Sequence, residues 1–338
     1  MIHESLARPY FSTALAATSR ASSRRASCSL VQANSTLRVS PIEGADHQRL
    51  DCEVERTWKT GPVTDRPALL DEPYSLAPGT VETFETAGHA VVRGLASPAL
   101  VEQYKPAIDE ATMALRWDKR PLEERDTYGR AFIQSANVHR HSATVAEFAL
   151  ARRFARVAAE LLQCDGVRLY HDQALYKEPG GGFTPWHQDQ VYWPLDSDRT
   201  ITMWMPLVDI PRDVGGMTFA DGSWRHGNLG ELVIGDASHE YFDTVVAERG
   251  FTLATHGPFT AGDATFHRGW TLHSAPANDS DLMRAVLTVI YYADGTRISD
   301  ADHPARQFDL ALWLGGGQTG TLADGPGNPL LWHRSWES

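Results

Sequence analysis

In the stretch TPWHQDQVYW, His187 and Asp189 stand two residues apart. In an extended segment that spacing sends both side chains off one face, an imidazole beside a carboxylate. A third ligand is on offer in the later stretch ATFHRGWTLHSAPANDS, which carries His267 and His273. Two imidazoles and one carboxylate form the facial triad of non-haem iron(II), which leaves three adjacent coordination positions for a co-substrate and dioxygen. Spacing alone does not choose between His267 and His273. A further feature is Arg284, which opens the alternating run RAVLTVIYY with Val286 and Thr288 on its own face. Its guanidinium is a planar fork that stays charged when buried, and it suits the far carboxylate of an organic diacid.

The elements that must position these residues are legible in outline. Ser97-Pro98 reads as a capping hydroxyl followed by proline at the first helical position. Leu100, Tyr104, Ile108, Ala111 and Leu115 then share a face, and Pro106 is expected to kink the helix. A second helix is predicted through Val145, Phe148, Phe154, Val157 and Leu161, ending before Gly166. From Val167 to about Tyr292 the texture changes to short β-rich runs between Gly, Pro and Asp clusters. Helices first and many strands after argue for a mainly β fold with buttressing helices, a double-stranded β-helix of jelly-roll, cupin-like type. The expected layout is a Ser-, Ala- and Arg-rich extension over 1–45, a poorly patterned lead-in over 46–75 and one domain over 76–338. Within that domain, helices fill about 97–163, the jelly-roll core about 167–293, and a loop-rich segment 295–338.

Over residues 80–295 the chain resembles the phytanoyl-CoA dioxygenase family of iron(II)- and 2-oxoglutarate-dependent oxygenases. The blocks that carry the resemblance are YKEPGGGFTPWHQDQVYW, MWMPLVDIPRDVGGMTFADGSWRHG and GDATFHRGWTLHSAPANDSDLMRAVLTVIYY. In the family the distal ligand is followed by a small polar residue and an Asn, with the co-substrate Arg eleven positions on; His273, Ser274, Asn278 and Arg284 match. The resemblance therefore implies iron(II) on His187, Asp189 and His273, with His267 as a supporting residue rather than a ligand. It also implies 2-oxoglutarate on Arg284, with Gln173, Trp204, Ser274 and Thr288 around it, and dioxygen as the other co-substrate. Gln173 is expected on one strand face with Val167, Leu169, His171 and Leu175, where its amide would bond either the co-substrate or nearby backbone. Lys177 matches a family lysine but reads as a snorkelling surface residue.

The implied reaction is hydroxylation of a small-molecule metabolite, with 2-oxoglutarate released as succinate and carbon dioxide. Asp189 argues against halogenation, for which the family's relatives replace this carboxylate with a small residue. Candidate substrate contacts are Gln134 and Asn137 in AFIQSANVHRH, the pair Tyr192 and Trp193, and Trp224. The crowding of Trp186, Trp193, Trp204 and Trp224 about the motif suits an apolar or ring-bearing substrate, and equally suits plain filling of a small barrel. The rival class is a non-catalytic, metal-binding jelly-roll module, which has no use for Arg284.

Composition excludes other classes. A formal charge of −12, without a basic run interleaved with aromatics, opposes a nucleic-acid partner. No apolar run reaches the roughly 18 residues of a membrane span. Cys28, Cys52 and Cys164 are too few and too scattered for a disulfide framework or a zinc knuckle. A cytoplasmic setting is the expectation, with organellar import if residues 1–45 act as a transit peptide. Oligomeric state is not readable from these features.

Overall fold

The structure is a computed structural model that describes residues 68–211 and 216–337, together with a two-stranded ribbon in which Val31–Gln32 pairs antiparallel with Ser35–Thr36. The ribbon belongs to a separate unit, Phe11–Asp65, whereas Arg66–Ser338 fall in the unit that carries the site. The rest of the expected extension, and most of the lead-in, lie outside the described residues. The described end of the lead-in is a short helix, Ala68–Asp71, whose Leu70 is fully buried in the main core. Order thus begins ahead of Leu76, because one leucine with enough apolar cover anchors a turn that periodicity cannot reveal.

Seven strands form the larger sheet. Its spatial order is Leu330–His333, Gly166–Tyr176, Val286–Ala293, Thr200–Pro206, Ala264–Arg268 and His89–Val92, with Ile133–Ala136 also pairing on Gly166–Tyr176. The smaller sheet runs Thr184–His187, His273–Ala275, Thr218–Ala220, Leu253–Thr255. Side chains alternate along the central strands as the pleat requires. Ile201, Met203, Met205, Leu287, Val289 and Tyr291 join Tyr104, Phe148, Phe154 and Leu161 of the helices in the main core. Fully burying each such Phe contributes about 1.5–3 kcal/mol. Thr202, Trp204, Thr288 and Ile290 instead line a cavity on the other face. Phe219 and Ala275 of the smaller sheet cluster there with Trp204 and Val286. The fold is the helix-buttressed jelly roll that the sequence texture predicts.

The Ser97 hydroxyl accepts from the Leu100 N–H at the start of the helix Pro98–Leu115, which contains Pro106. Three details depart from expectation. The predicted second helix is two, Ala143–Ala149 and Arg152–Leu162. Six residues separate Phe148 from Phe154, about 240° of turn on a continuous helix, so a break at Leu150–Ala151 is needed to bring both rings onto one core. In the strand Gly166–Tyr176 the register slips where Ile290 pairs with His171 but Tyr291 pairs with Leu169. Val167 and Leu169 therefore face the helices, while His171, Gln173 and Leu175 face the cavity. The shared face expected for all five does not exist, since one extra residue on a strand reverses its inside and outside. Finally, 295–338 is more than loop: it holds the helix Pro304–Trp313 and the strand Leu330–His333. Among the described residues, no helix is long and apolar enough to cross a membrane.

Candidate metal centre and its cavity

His187 ends the strand Thr184–His187, and Asp189 opens the 3-10 turn that follows. His273 opens its own strand directly opposite His187 in the antiparallel register. The pairing brings the two imidazoles to 4.1 Å between ring centroids. Each ring is oriented by backbone two residues earlier. His187 Nδ1 lies 2.8 Å from the Pro185 carbonyl and His273 Nδ1 2.9 Å from the Thr271 carbonyl, which assigns the proton to Nδ1 in both. Both Nε2 lone pairs then face Asp189 Oδ1, at 3.5 Å from His187 and 3.7 Å from His273.

The second carboxylate oxygen is held differently. Asp189 Oδ2 accepts from the Thr202 hydroxyl at 2.9 Å and meets His267 Nε2 at 3.2 Å. With Oδ2 fixed from the larger sheet, Oδ1 is left to share a point with the two Nε2 atoms. Burial on its own would raise the Asp189 carboxyl, but the imidazoles of His273, His187 and His267 outweigh it and hold the group well below the usual carboxylate range. Burial, with His187 and His267 alongside, pushes the His273 imidazole well below its ordinary value, so the ring is neutral at physiological pH. One carboxylate oxygen and two imidazole nitrogens, all within 4.8 Å of one another, are a donor set that fits a divalent transition metal. His267 belongs to the shell that orients this set, and outer partners of this kind fix ligand geometry.

The cavity at this centre has about 940 Å³ of empty space, the open solvent at its mouth included. On one side lies Arg284, 2% exposed, its guanidinium carbon 5.7 Å from the centre of the Trp204 ring. Burial brings its pKa down to about 10, which leaves it charged at neutral pH. Ser274 and Thr288 line the same space, and the Thr288 hydroxyl donates to the Gln173 carbonyl. Gln173 accepts at 2.7 Å from the amide of Gln134, which in turn accepts from the Tyr128 hydroxyl. Asn278 ties the surrounding loops together by donating to the carbonyls of Lys177, Glu178 and Leu282.

Lys177 is not the surface residue expected. It is fully buried, with Nζ donating to the Gly182 carbonyl and the Thr184 hydroxyl and standing 5.2 Å from the Phe132 ring. Burial first, and the Arg284 charge second, push it down to about 6, so it acts as a neutral donor at physiological pH. The strand ladder that places Arg284 beside it is a backbone exchange, Lys177 N–H to Arg284 carbonyl and the reverse, which charge reasoning on sequence does not see.

Of the candidate substrate contacts, Gln134, Tyr192 and Trp193 line the cavity, and Asn137 and Trp224 do not. Asn137 sits in a left-handed turn at φ 52° that ends the strand Ile133–Ala136, with its N–H bonded to the Asp172 carbonyl. Trp224 packs under Arg268, 4.2 Å from guanidinium carbon to ring centre, in space left open by Gly88. Trp186 likewise belongs to a separate cluster with Leu229 and Phe242. The cavity wall instead includes His171, Phe308, Asp309 and Trp313. The last three come from PARQFDLALW, in which Asp309 and Trp313 are four apart and so share a helix face.

Three comparisons bear on this arrangement. The family model for phytanoyl-CoA dioxygenase matches residues 84–286. A probable alpha-ketoglutarate-dependent hypophosphite dioxygenase of Stutzerimonas stutzeri is 27% identical over 136 residues, 38% of this chain, and the match spans only 46% of that relative. Among solved structures, the epimerase SnoN of nogalamycin biosynthesis, in complex with Fe3+, alpha ketoglutarate and nogalamycin RO, superposes with a TM-score of 0.61 at 26% identity. It covers 75% of this chain and 97% of that one. The carbocyclase SnoK of the same biosynthesis shares the fold, with a TM-score of 0.61 at 22% identity over 77% of this chain and 99% of its own. With the matched residues running from Phe84 through the metal centre to Arg284 and Val286, the chain belongs to the phytanoyl-CoA dioxygenase family.

Proposed function

We propose that the protein is an iron(II)- and 2-oxoglutarate-dependent oxygenase that hydroxylates a small organic molecule, with His187, Asp189 and His273 holding the iron. The observation that carries the reading is the burial of Arg284 in the wall of the same cavity as the three donors. A metal-binding module without turnover has no need of a guanidinium fork in the wall beside its metal, whereas that fork suits the far carboxylate of an organic diacid. Arg284 takes the far carboxylate of 2-oxoglutarate, with the Trp204 face, the Ser274 hydroxyl and the Gln173 amide as the walls that fix its orientation. When bound, iron and 2-oxoglutarate supply the activation of dioxygen: one oxygen atom goes into succinate as carbon dioxide leaves, and the other into the substrate C–H bond as an alcohol.

The chain's own part is positional. Pro185 and Thr271 carbonyls keep both imidazoles presenting Nε2, and Thr202 with His267 keeps Asp189 turned so that one oxygen serves the metal. Neutral Lys177 fastens the glycine-rich turn ahead of Thr184 and adds no second full charge beside Arg284. The aromatic wall keeps bulk water from the reacting carbon. A cytoplasmic setting accords with Cys164, a free buried thiol.

The test is anaerobic. Iron(II) and 2-oxoglutarate added to the protein should give a weak absorption band near about 500 nm, as metal-bound 2-oxo acids do on this kind of triad. The band should vanish in Asp189→Ala and require higher 2-oxoglutarate in Arg284→Ala. A wild-type protein that binds iron yet gives no band at saturating 2-oxoglutarate is not such an oxygenase.

A further inference from the structure

The far end of the cavity has a chemistry of its own. Asp309 lies in its wall, 6% exposed, on the helix Pro304–Trp313. The Tyr170 hydroxyl donates to its Oδ2 at 2.8 Å, and the Trp313 side chain bonds it as well. Two donors aimed at one carboxyl favour its ionised form. Yet among the described residues no Lys, Arg or His forms an ion pair with it, and burial drives its pKa up to about 8. The carboxyl is therefore equipped for a negative charge and lacks the positive one that would make that charge affordable in a buried place.

Around it the cavity is aromatic. Trp193 lies 5.5 Å from the Tyr170 ring, Trp313 lies tilted 4.6 Å from His171, and Tyr128, Tyr192 and Phe308 are also in the wall. His171 adds no charge, because burial lowers it to about 4. Ring faces carry negative potential and attract cations, most strongly when water is excluded. The chain's net charge of −12 draws cations from a distance as well. The helix that supplies Phe308, Asp309 and Trp313 lies beyond the family match at 84–286, whereas Tyr128, His171, Tyr192 and Trp193 lie within it.

We infer that the substrate is an organic amine, whose ammonium group sits against Asp309 among the faces of Trp193, Trp313 and their aromatic neighbours while a carbon of the same molecule reaches the metal end. This assignment rests on the oxygenase reading for its chemistry, but the binding site is testable without turnover. The probes are cyclohexylamine, cationic at neutral pH, and cyclohexanol, a neutral molecule of the same size. Each is titrated calorimetrically and by tryptophan fluorescence into the full chain, with and without iron(II) and 2-oxoglutarate under anaerobic conditions.

The expected result is that cyclohexylamine binds at least about tenfold more tightly than cyclohexanol, as a buried carboxylate and aromatic faces together predict. Asp309→Asn should erase the preference, and Trp313→Leu should reduce it several-fold. Equal binding of the two probes, binding of neither, or a preference that survives in Asp309→Asn overturns the assignment. The wild-type comparison needs no variant and so stands even if a substitution disturbs folding. Loss of the 2-oxoglutarate band with the amine preference intact would sink the oxygenase reading alone. An intact band without the preference would sink this one alone.

Discussion

At the metal end of the cavity both imidazoles are oriented by chain close at hand, Pro185 for His187 and Thr271 for His273, and one strand pairing brings the two rings together, while Thr202 and His267 hold Asp189 from the larger sheet. At the far end, Asp309 is bonded by Tyr170, 139 residues away in sequence, as well as by Trp313 of its own helix, and its aromatic company comes from four separate segments. The imidazole pair is a local device repeated across two short strands, and the far end is assembled mainly by tertiary packing. That difference is also one of tolerance. A locally specified centre survives drift elsewhere in the chain, whereas a packed chamber can be recast by changing a single helix, which is how one oxidant comes to serve many substrates.

If the metal end works as a unit, its substitutions should be nearly all-or-none. Asp189→Ala should abolish succinate formation and iron retention together, and iron analysis alongside succinate release checks both; turnover near the wild-type rate would mean that the donor set is misassigned. Arg284→Ala should weaken 2-oxoglutarate by several kcal/mol, the usual consequence of removing one partner of a buried charge pair. Equilibrium titration under anaerobic conditions reads it, and an unchanged affinity removes the residue from its assigned place. His267→Ala should be milder, with roughly a 10–100-fold loss in iron affinity, because it orients Asp189 and touches no proposed open position. Competition with a chelator measures that loss, and a loss as complete as that of Asp189→Ala would make His267 a ligand.

The smallest effects separate the two ends by sign. Folded Lys177 sheds its proton near 6, while the unfolded chain keeps it to the ordinary lysine range. Across that window the unfolded state binds the extra proton, so this residue makes stability rise with pH. Folded Asp309 keeps its proton to about 8, while the unfolded chain loses it near the ordinary carboxyl range. There the folded state binds the extra proton, so this residue makes stability fall as pH rises from about 4 to about 8. Denaturant titrations at pH 6.5 and 7.5 should therefore show a less positive slope in Lys177→Met and a more positive one in Asp309→Asn. Each change is at most about 1.4 kcal/mol per pH unit. The same sign in both variants would mean that one of these two protonation states is wrong.

Much of the metal end was legible because its logic is local. His-X-Asp in an extended segment, and Arg284 at the start of an alternating strand, are statements about spacing, and spacing survives folding. His267 and His273 could not be ranked that way, since both lie on short strands beside the site; what separates them is that His267 reaches Asp189 Oδ2 from the larger sheet. Lys177 was misread because burial of a lysine depends on what covers it. Asn137 and Trp224 were misplaced because nearness along the chain, or to a motif, is not nearness in space. The helix Pro304–Trp313 is obscured in the sequence by the glycines after it, which dominate the composition of the segment, although Pro304 at its first turn and His303 as its cap mark its start.

The extra residue near Tyr170 gives the strand Gly166–Tyr176 two phases, one half keyed to the helices and the other to the cavity. Both halves are pinned by partners of their own, Leu330–His333 on the first and Ile133–Ala136 on the second. The two halves can therefore change independently, and core mutations upstream of Tyr170 leave the alphabet facing the substrate untouched. A one-residue deletion there would do the opposite, turning the His171 and Gln173 side chains toward the helices while altering no residue that touches metal.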